Sequence, residues 1–118
     1  MMSNSIIKIK SFEFAVSIVK FYRQFSIKNK EYVLSRQLLR SGTSVGANVR
    51  EALNAQSKPD FIHKLSISQK ECDETIYWIE LLYATDYISK EEFDELISPA
   101  TEILKIIRSI IITSKKKL

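Results

Sequence analysis

Two carboxylates three residues apart, Glu71 and Glu74, come closest in this sequence to the spacing of a catalytic pair. Residues three apart lie on one face of a helix, so the two side chains would be neighbours. Paired carboxyls in different surroundings can act as general acid and general base. They can equally accept hydrogen bonds or pair with arginine or lysine. We favour this second, structural interpretation.

Three other patterns point to chemistry that the rest of the sequence does not support. The stretch GTSVGAN (42–48) lacks the third glycine of a dinucleotide loop and the Gly-Lys-Ser/Thr ending of a phosphate-binding loop. A di-metal bundle site needs Glu-x-x-His on two helices, but His63 is the single histidine. Ser17 and Lys20 match Ser-x-x-Lys at chance-level spacing. We predict a non-enzymatic protein without metal or cofactor, with His63 on its surface.

The composition is typical of one soluble helical domain covering residues 1–118. Two glycines and two prolines are few for a sheet with tight turns, so helices are favoured. Lys105 and Arg108 interrupt the longest apolar tract, which excludes a membrane-spanning helix. The N-terminus lacks the features of a secretory signal. The single cysteine, Cys72, fits a reducing cytoplasm and a small core residue.

Apolar residues recur at helical spacing in four segments, 11–25, 31–55, 58–84 and 90–114. Ser57 and Pro59 are typical of the start of the third helix. Ser89 and Glu92 form a capping box at the start of the fourth, and Pro99 predicts a bend within it. Four long helices with short connections predict an all-α, antiparallel, up-down-up-down four-helix bundle.

The second predicted helix contains both glycines, although each costs a helix about 0.5–1 kcal/mol relative to alanine. Gly42 and Gly46 lie in the middle of its apolar arc, so we expect a neighbouring helix to approach closely there. Polar side chains border this arc, and we predict that they meet the two glutamates of the third helix. The predicted polar network comprises Gln37, Arg40, Ser44, Asn48, Glu51, Glu71 and Glu74.

The third and fourth predicted helices are apolar over more of their circumference than a lone bundle helix needs. On the third, the additional apolar residues are Ile67, Trp78 and Leu81. A second apolar face must be buried against another surface, and further copies of the same chain provide one economically. These three residues are therefore the predicted oligomer interface.

The charge is unevenly distributed along the chain. Residues 1–58 contain 10 Lys/Arg and 3 Asp/Glu, a net charge of +7, whereas residues 59–118 contain 8 and 11, a net charge of −3. A basic face on the first two helices is either simply solvated or a surface that binds nucleic-acid phosphates without sequence specificity. The candidate residues are Lys20, Arg23, Lys28, Lys30, Arg36, Arg40 and Arg50.

Two adjoining stretches, SRQLLRSGTSVGANVREA (35–52) and AQSKPDFIHKLSISQKECDETIYWIELL (55–82), carry a family resemblance. Gln-x-x-Arg followed by Ser-x-x-x-Asn-x-x-Glu stands within the first, and the second holds the acidic pair with Trp78 one turn on. From about Phe14 to Thr113 the chain resembles the small bacterial S23-like proteins encoded within intervening sequences of 23S ribosomal RNA genes. Gly46 departs from the proline that many members have, which predicts a straighter helix there.

This resemblance implies an antiparallel four-helix bundle that assembles as a homopentamer around a central pore, and it implies little about activity. A distant relative, the accessory variability determinant protein of diversity-generating retroelements, shares the pentamer. That relative binds nucleic acid and a reverse transcriptase through a basic surface. The implied partners are other copies of the chain, RNA or DNA, and a protein partner, without a membrane. A protein-interaction module that binds no nucleic acid is the alternative.

Overall fold

Four antiparallel helices make up the computed structural model, which describes residues 2–117. Each helix packs against the one before it, and the last packs against the first, so the predicted up-down four-helix bundle is confirmed. The bundle measures 47 × 21 × 19 Å. The helices are α1 (Met2–Asn29), α2 (Leu34–Leu53), α3 (Lys58–Ala84) and α4 (Lys90–Lys116).

The starts of α3 and α4 follow the sequence signals. The Ser57 hydroxyl accepts a hydrogen bond from the Asp60 backbone N–H at 3.2 Å, and Pro59 lies in the first turn of α3. At α4, the Ser89 hydroxyl and the Glu92 carboxylate each accept a hydrogen bond from the other residue's backbone N–H. Both predicted caps are confirmed. The α4 helix continues through Pro99, and the bend there stays a prediction.

A glutamate side chain caps α2. The Glu31 carboxylate accepts hydrogen bonds from the backbone N–H groups of Val33, Leu34 and Ser35 at 3.1, 2.9 and 2.9 Å. Burial acts to raise the pKa of Glu31, but these N–H donors together hold it below the usual carboxyl value. The negative charge of Glu31 is therefore committed to the helix start.

The first helix begins at Met2 rather than at Ser11. Ile7 and Ser11 are 0% and 1% exposed, and they continue the buried stripe of Phe14 and Ile18 toward the N-terminus. The sequence prediction missed this segment because Ile6 and Ile9, which are exposed, lie beside these buried positions. A helix that is apolar on two sides does not display the single stripe by which an amphipathic helix is recognised.

The α1 helix packs closely against the two glycines of α2. A Cβ atom on Gly46 would lie 3.1 Å from the Ser11 carbonyl oxygen, and one on Gly42 would lie 3.0 Å from a side-chain carbon of Ile18. The expectation that these glycines admit a neighbouring helix is confirmed. They are helical residues of α2, not part of a ligand loop.

Small polar side chains join α3 to its neighbours inside the core. The Ser68 hydroxyl donates to the Val45 carbonyl at 2.8 Å. The Thr75 hydroxyl lies 3.0 Å from the Ser41 hydroxyl of α2 and 2.8 Å from the Glu71 carbonyl of its own helix. The Cys72 thiol is buried and donates to the Ala100 carbonyl at 3.3 Å. Burial raises the pKa of Cys72 to about 12, so the thiol stays protonated.

We expect Gly46→Val to destabilise the fold by about 1–3 kcal/mol, because the added side chain meets the backbone of α1 rather than a movable side chain. Chemical denaturation monitored by circular dichroism measures the change. Ala47→Val is the matched control: it places the same β-branched residue at the next, exposed position of α2. Equal stability of the two variants would contradict a steric role for Gly46.

Candidate nucleic-acid interface and the neighbouring ion-pair cluster

One arginine on α2 lies between two glutamates on α3. The Arg40 guanidinium donates a hydrogen bond to Glu74 Oε2 and approaches Glu71 Oε2 at 3.5 Å. The Trp78 indole N–H donates to the same Glu74 oxygen at 3.2 Å. We call these four residues the Arg40 cluster. It links α2 to α3 at the surface of the bundle.

The contacts within the Arg40 cluster favour the charged forms of Arg40 and Glu74. The Trp78 hydrogen bond, together with Arg40 and against the effect of burial, holds the pKa of Glu74 below its usual range. The hydrogen bond to Glu74 and the charge of Glu71 raise the pKa of Arg40. Glu71 Oε2 is buried and accepts no hydrogen bond within residues 2–117, so its contact with Arg40 is an ion pair without a hydrogen bond.

The other residues of the predicted polar network lie outside this cluster. The Ser44 hydroxyl donates to the Arg40 carbonyl at 2.7 Å, and the Asn48 amide donates to the Ser44 carbonyl at 2.9 Å. Short polar side chains on helices commonly bond to their own backbone in this way. Glu51 pairs with Lys64 at 3.3 Å, and Gln37 is exposed. The structure therefore brings together only Arg40, Glu71 and Glu74 from that set.

Five exposed cations surround the connection between α1 and α2. None of these five residues forms an ion pair among residues 2–117. The nearest acid along the chain, Glu31, is occupied by the backbone of α2. This end of the two helices therefore carries five cations that form no ion pair among residues 2–117. We call it the basic end, and it comprises Lys20, Arg23, Lys28, Lys30 and Arg36.

The two remaining arginines of the predicted basic surface are placed differently. Arg40 is engaged by two carboxylates. Arg50 lies near the other end of α2, where its guanidinium carbon is 5.9 Å from the centroid of the Phe12 ring, a cation–π distance. The structure thus separates Arg40 and Arg50 from the basic end.

The predicted oligomer-interface residues are only partly exposed. Trp78 packs against the core and donates to Glu74, while Ile67 and Leu81 are half-buried. The larger exposed apolar surface lies on α1 and was missed. In the sequence, this surface is indicated by four apolar residues that are three, four and three positions apart: Ile9, Phe12, Val16 and Val19.

Three further features of residues 2–117 bear on the sequence predictions. His63 is exposed, as predicted. No group of three or more His, Cys, Asp and Glu side chains in this range has an arrangement that could hold a metal ion. No helix in this range combines the length and the apolar character needed to cross a membrane.

Arg40→Met should destabilise the protein by about 1–3 kcal/mol at neutral pH, because Glu71 and Glu74 lose their common cation. The cost stays below that of a fully buried pair, since 51% of the Arg40 side chain is exposed. A carboxylate with a lowered folded pKa stabilises the fold above its unfolded pKa and loses that contribution as the pH falls. The difference should therefore shrink below about pH 4.

Urea denaturation at several pH values measures this difference. Arg36→Met is the control, one helical turn away on α2, because Arg36 is exposed and makes no ion pair among residues 2–117. Parental stability of the Arg40 variant at neutral pH would exclude a stabilising role for the cluster.

Comparisons with known proteins agree with the fold and with the pattern on α2 and α3. The family model described as "23S rRNA-intervening sequence protein" matches residues 3–109. The chain is also similar to a crystal structure of a protein of unknown function from the S23 ribosomal protein family of Bacteroides thetaiotaomicron. They share 51% identity and a TM-score of 0.91, over 92% of this chain and 97% of that one. No curated protein matches. The chain belongs to the 23S rRNA-intervening sequence protein family.

Proposed function

We propose that the protein is a non-enzymatic, homo-oligomeric four-helix scaffold that binds RNA or DNA through its basic end. The observation that carries this proposal is the set of five exposed cations around the α1–α2 connection, none of which forms an ion pair within residues 2–117. Its one neighbouring acid along the chain, Glu31, is held by three backbone N–H groups and is thus not free to neutralise the cations.

Several cations elsewhere in the bundle are paired, whereas none of the five at the basic end is paired among residues 2–117. Lys10, Lys64, Lys90 and Arg108 each lie within 4 Å of a carboxylate, at 3.1, 3.3, 2.8 and 3.7 Å. Cations without such partners are free to replace the counterions of a phosphate backbone, a contact that carries no sequence information. Two of the five are arginines, which can grip one phosphate with two donors.

Glu71, Glu74 and Cys72 are occupied by structural contacts, which supports a non-enzymatic role. Arg40 and Trp78 hold Glu74, and Arg40 also pairs with Glu71. The Cys72 thiol is buried and its pKa is raised to about 12, so it is a poor nucleophile. Neither of these positions combines a free reactive group with access for a substrate.

Self-association is supported by the exposed apolar stripe of α1. Phe12 is 57% exposed although α1 packs its opposite side into the core. The number of subunits comes from the family resemblance, which implies five. Five chains of net charge +4 carry about +20 together, and a higher local charge strengthens attraction to phosphates. The distant similarity to the accessory variability determinant protein supports both parts of the proposal by analogy.

Light scattering in moderate salt should give a mass near five times 13.7 kDa. The physical reason is that an exposed apolar stripe of this extent is buried by association. Measurements at several micromolar concentrations test whether the assembly is stable. A monomer throughout this range would contradict the proposed scaffold.

Fluorescence anisotropy at about 50 mM salt should show that labelled structured RNA and duplex DNA bind with little sequence preference. Affinity should fall with a log–log salt slope of about −0.9 per phosphate neutralised on duplex DNA. Arg23→Glu with Arg36→Glu should weaken binding to all sequences alike and leave the oligomer mass unchanged, because both residues lie in the basic end.

The matched control for this experiment is Lys115→Glu with Lys116→Glu. It changes the net charge equally, but at the exposed end of α4. Equal loss of binding in both double variants would point to net charge rather than to the basic end. No detectable binding of RNA or DNA by the parent would favour the alternative function, a protein-interaction scaffold without nucleic acid.

A further inference from the structure

The outward side of α1 has the pattern of a helix-packing seam. Ile9, Phe12, Val16 and Val19 are 57%, 57%, 37% and 38% exposed, and their spacing of three, four and three residues is that of a coiled-coil stripe. The opposite side of α1 is buried in the core through Ile7 and other residues. Two apolar sides on one helix require two packing partners, and the bundle supplies one.

Two cations border this seam, and the groove beside it is also lined by Glu51 and Asp60. Lys8 is exposed on α1, and Arg50 on α2 extends over the Phe12 ring at 5.9 Å. This groove of about 750 Å³ runs between α1 and α2 beside Phe12, with Ala15 and Gly46 in its lining. Glu13 is the one acidic residue in α1. We call the seam together with Lys8 and Arg50 the basic face.

Three carboxylates lie close together on the surface of α3, where Glu74 pairs with Arg40 and Asp73 lies 3.7 Å from Arg108, while Glu80 forms no ion pair among residues 2–117. Tyr77 is 54% exposed, and its ring meets the Trp78 ring edge-on at 5.0 Å. Carboxylates stand at i−4, i−3 and i+3 from Tyr77, so they surround it on the helix surface. Half-buried Leu81 follows at i+4. We call Asp73, Glu74, Tyr77, Glu80 and Leu81 the acidic face.

We propose that the basic face of one copy of the chain docks on the acidic face of the next copy. This assignment rests on the proposed self-association and specifies the two surfaces that carry it. Lys8 and Arg50 then face Asp73 and Glu80, while the protruding Tyr77 ring enters the groove beside Phe12. Asp73 is free to reorient because its pairing with Arg108 is long, 3.7 Å, and half-exposed.

Pairing of α1 with α1 of a second copy is disfavoured by charge. An antiparallel pair centred on the seam would place Lys8 opposite Lys20 of the other copy, and a parallel pair would place each cation opposite itself. Like charges at a contact select against it. A contact between two different faces is head-to-tail, and head-to-tail contacts close into rings when the rotation allows.

Two single variants test this assignment by mixing. Val16→Glu disables the basic face and Tyr77→Glu disables the acidic face, and both positions are exposed, so the helical circular dichroism should be retained. Each variant alone should have a mass near 13.7 kDa by light scattering. In an equimolar mixture the intact acidic face of the first meets the intact basic face of the second. The mixture should therefore form a dimer and nothing larger.

Ile112→Glu is the control, because Ile112 is 56% exposed on α4, outside both faces, and its variant should keep the parental mass. A monomeric parent would contradict the proposed scaffold itself. A parent that assembles while either single variant also assembles fully, or while the mixture yields no dimer, would overturn the head-to-tail assignment.

A second pair of variants keeps the apolar residues intact and reverses the charges. Lys8→Glu with Arg50→Glu, and Asp73→Lys with Glu80→Lys, should each weaken assembly because like charges then meet. Mixing the two should give oligomers larger than either variant forms alone, since each contact between the two variants joins opposite charges, but not the parental ring, because a ring of five cannot alternate two variants throughout. Unchanged assembly of each double variant alone would contradict the charge matching.

Discussion

The close contact between α1 and α2 at Gly42 and Gly46 is the constraint on which the arrangement of the surface depends. Because Gly46 has no side chain, the backbone of α1 at Ser11 packs directly against the backbone of α2. This contact sets the rotation of α1 about its axis. Once Ile7 and Ile18 point into the core, Phe12 and Val16 must point outward. The core contact and the exposed stripe are thus two consequences of one helix orientation.

The same packing distributes the charges of the first two helices among different tasks. Arg40 faces α3 and is neutralised by two glutamates, whereas Arg36, one turn away, stays exposed. Glu31 accepts hydrogen bonds from three N–H groups at the start of α2, and its cationic neighbours form no ion pair among residues 2–117. Residues of the same type therefore differ in whether they are free to bind a partner, because the fold decides which side chains lie close enough to pair with them.

Short hydroxyl side chains in the bundle form hydrogen bonds either within their own helix or to a neighbouring helix. Ser44 bonds to its own helix, Ser68 bonds across to α2, and Thr75 contacts both its own helix and Ser41 of α2. The difference is burial: a buried hydroxyl close to a neighbouring helix gains most from an interhelical acceptor, because no water is available there. Such contacts fix the register of α2 against α3 and so hold Arg40 opposite Glu71 and Glu74.

The sequence alone determined the fold class, the caps of α3 and α4, the helical state of the two glycines and the family. These features depend on local spacing, which is visible along the chain. Tertiary structure decided the rest. It extended α1 to Met2, limited the polar network to the Arg40 cluster and moved the exposed apolar surface from Ile67, Trp78 and Leu81 to α1. A helical wheel shows which residues share a face, but the distances and orientations between helices decide which face is covered and which charges meet.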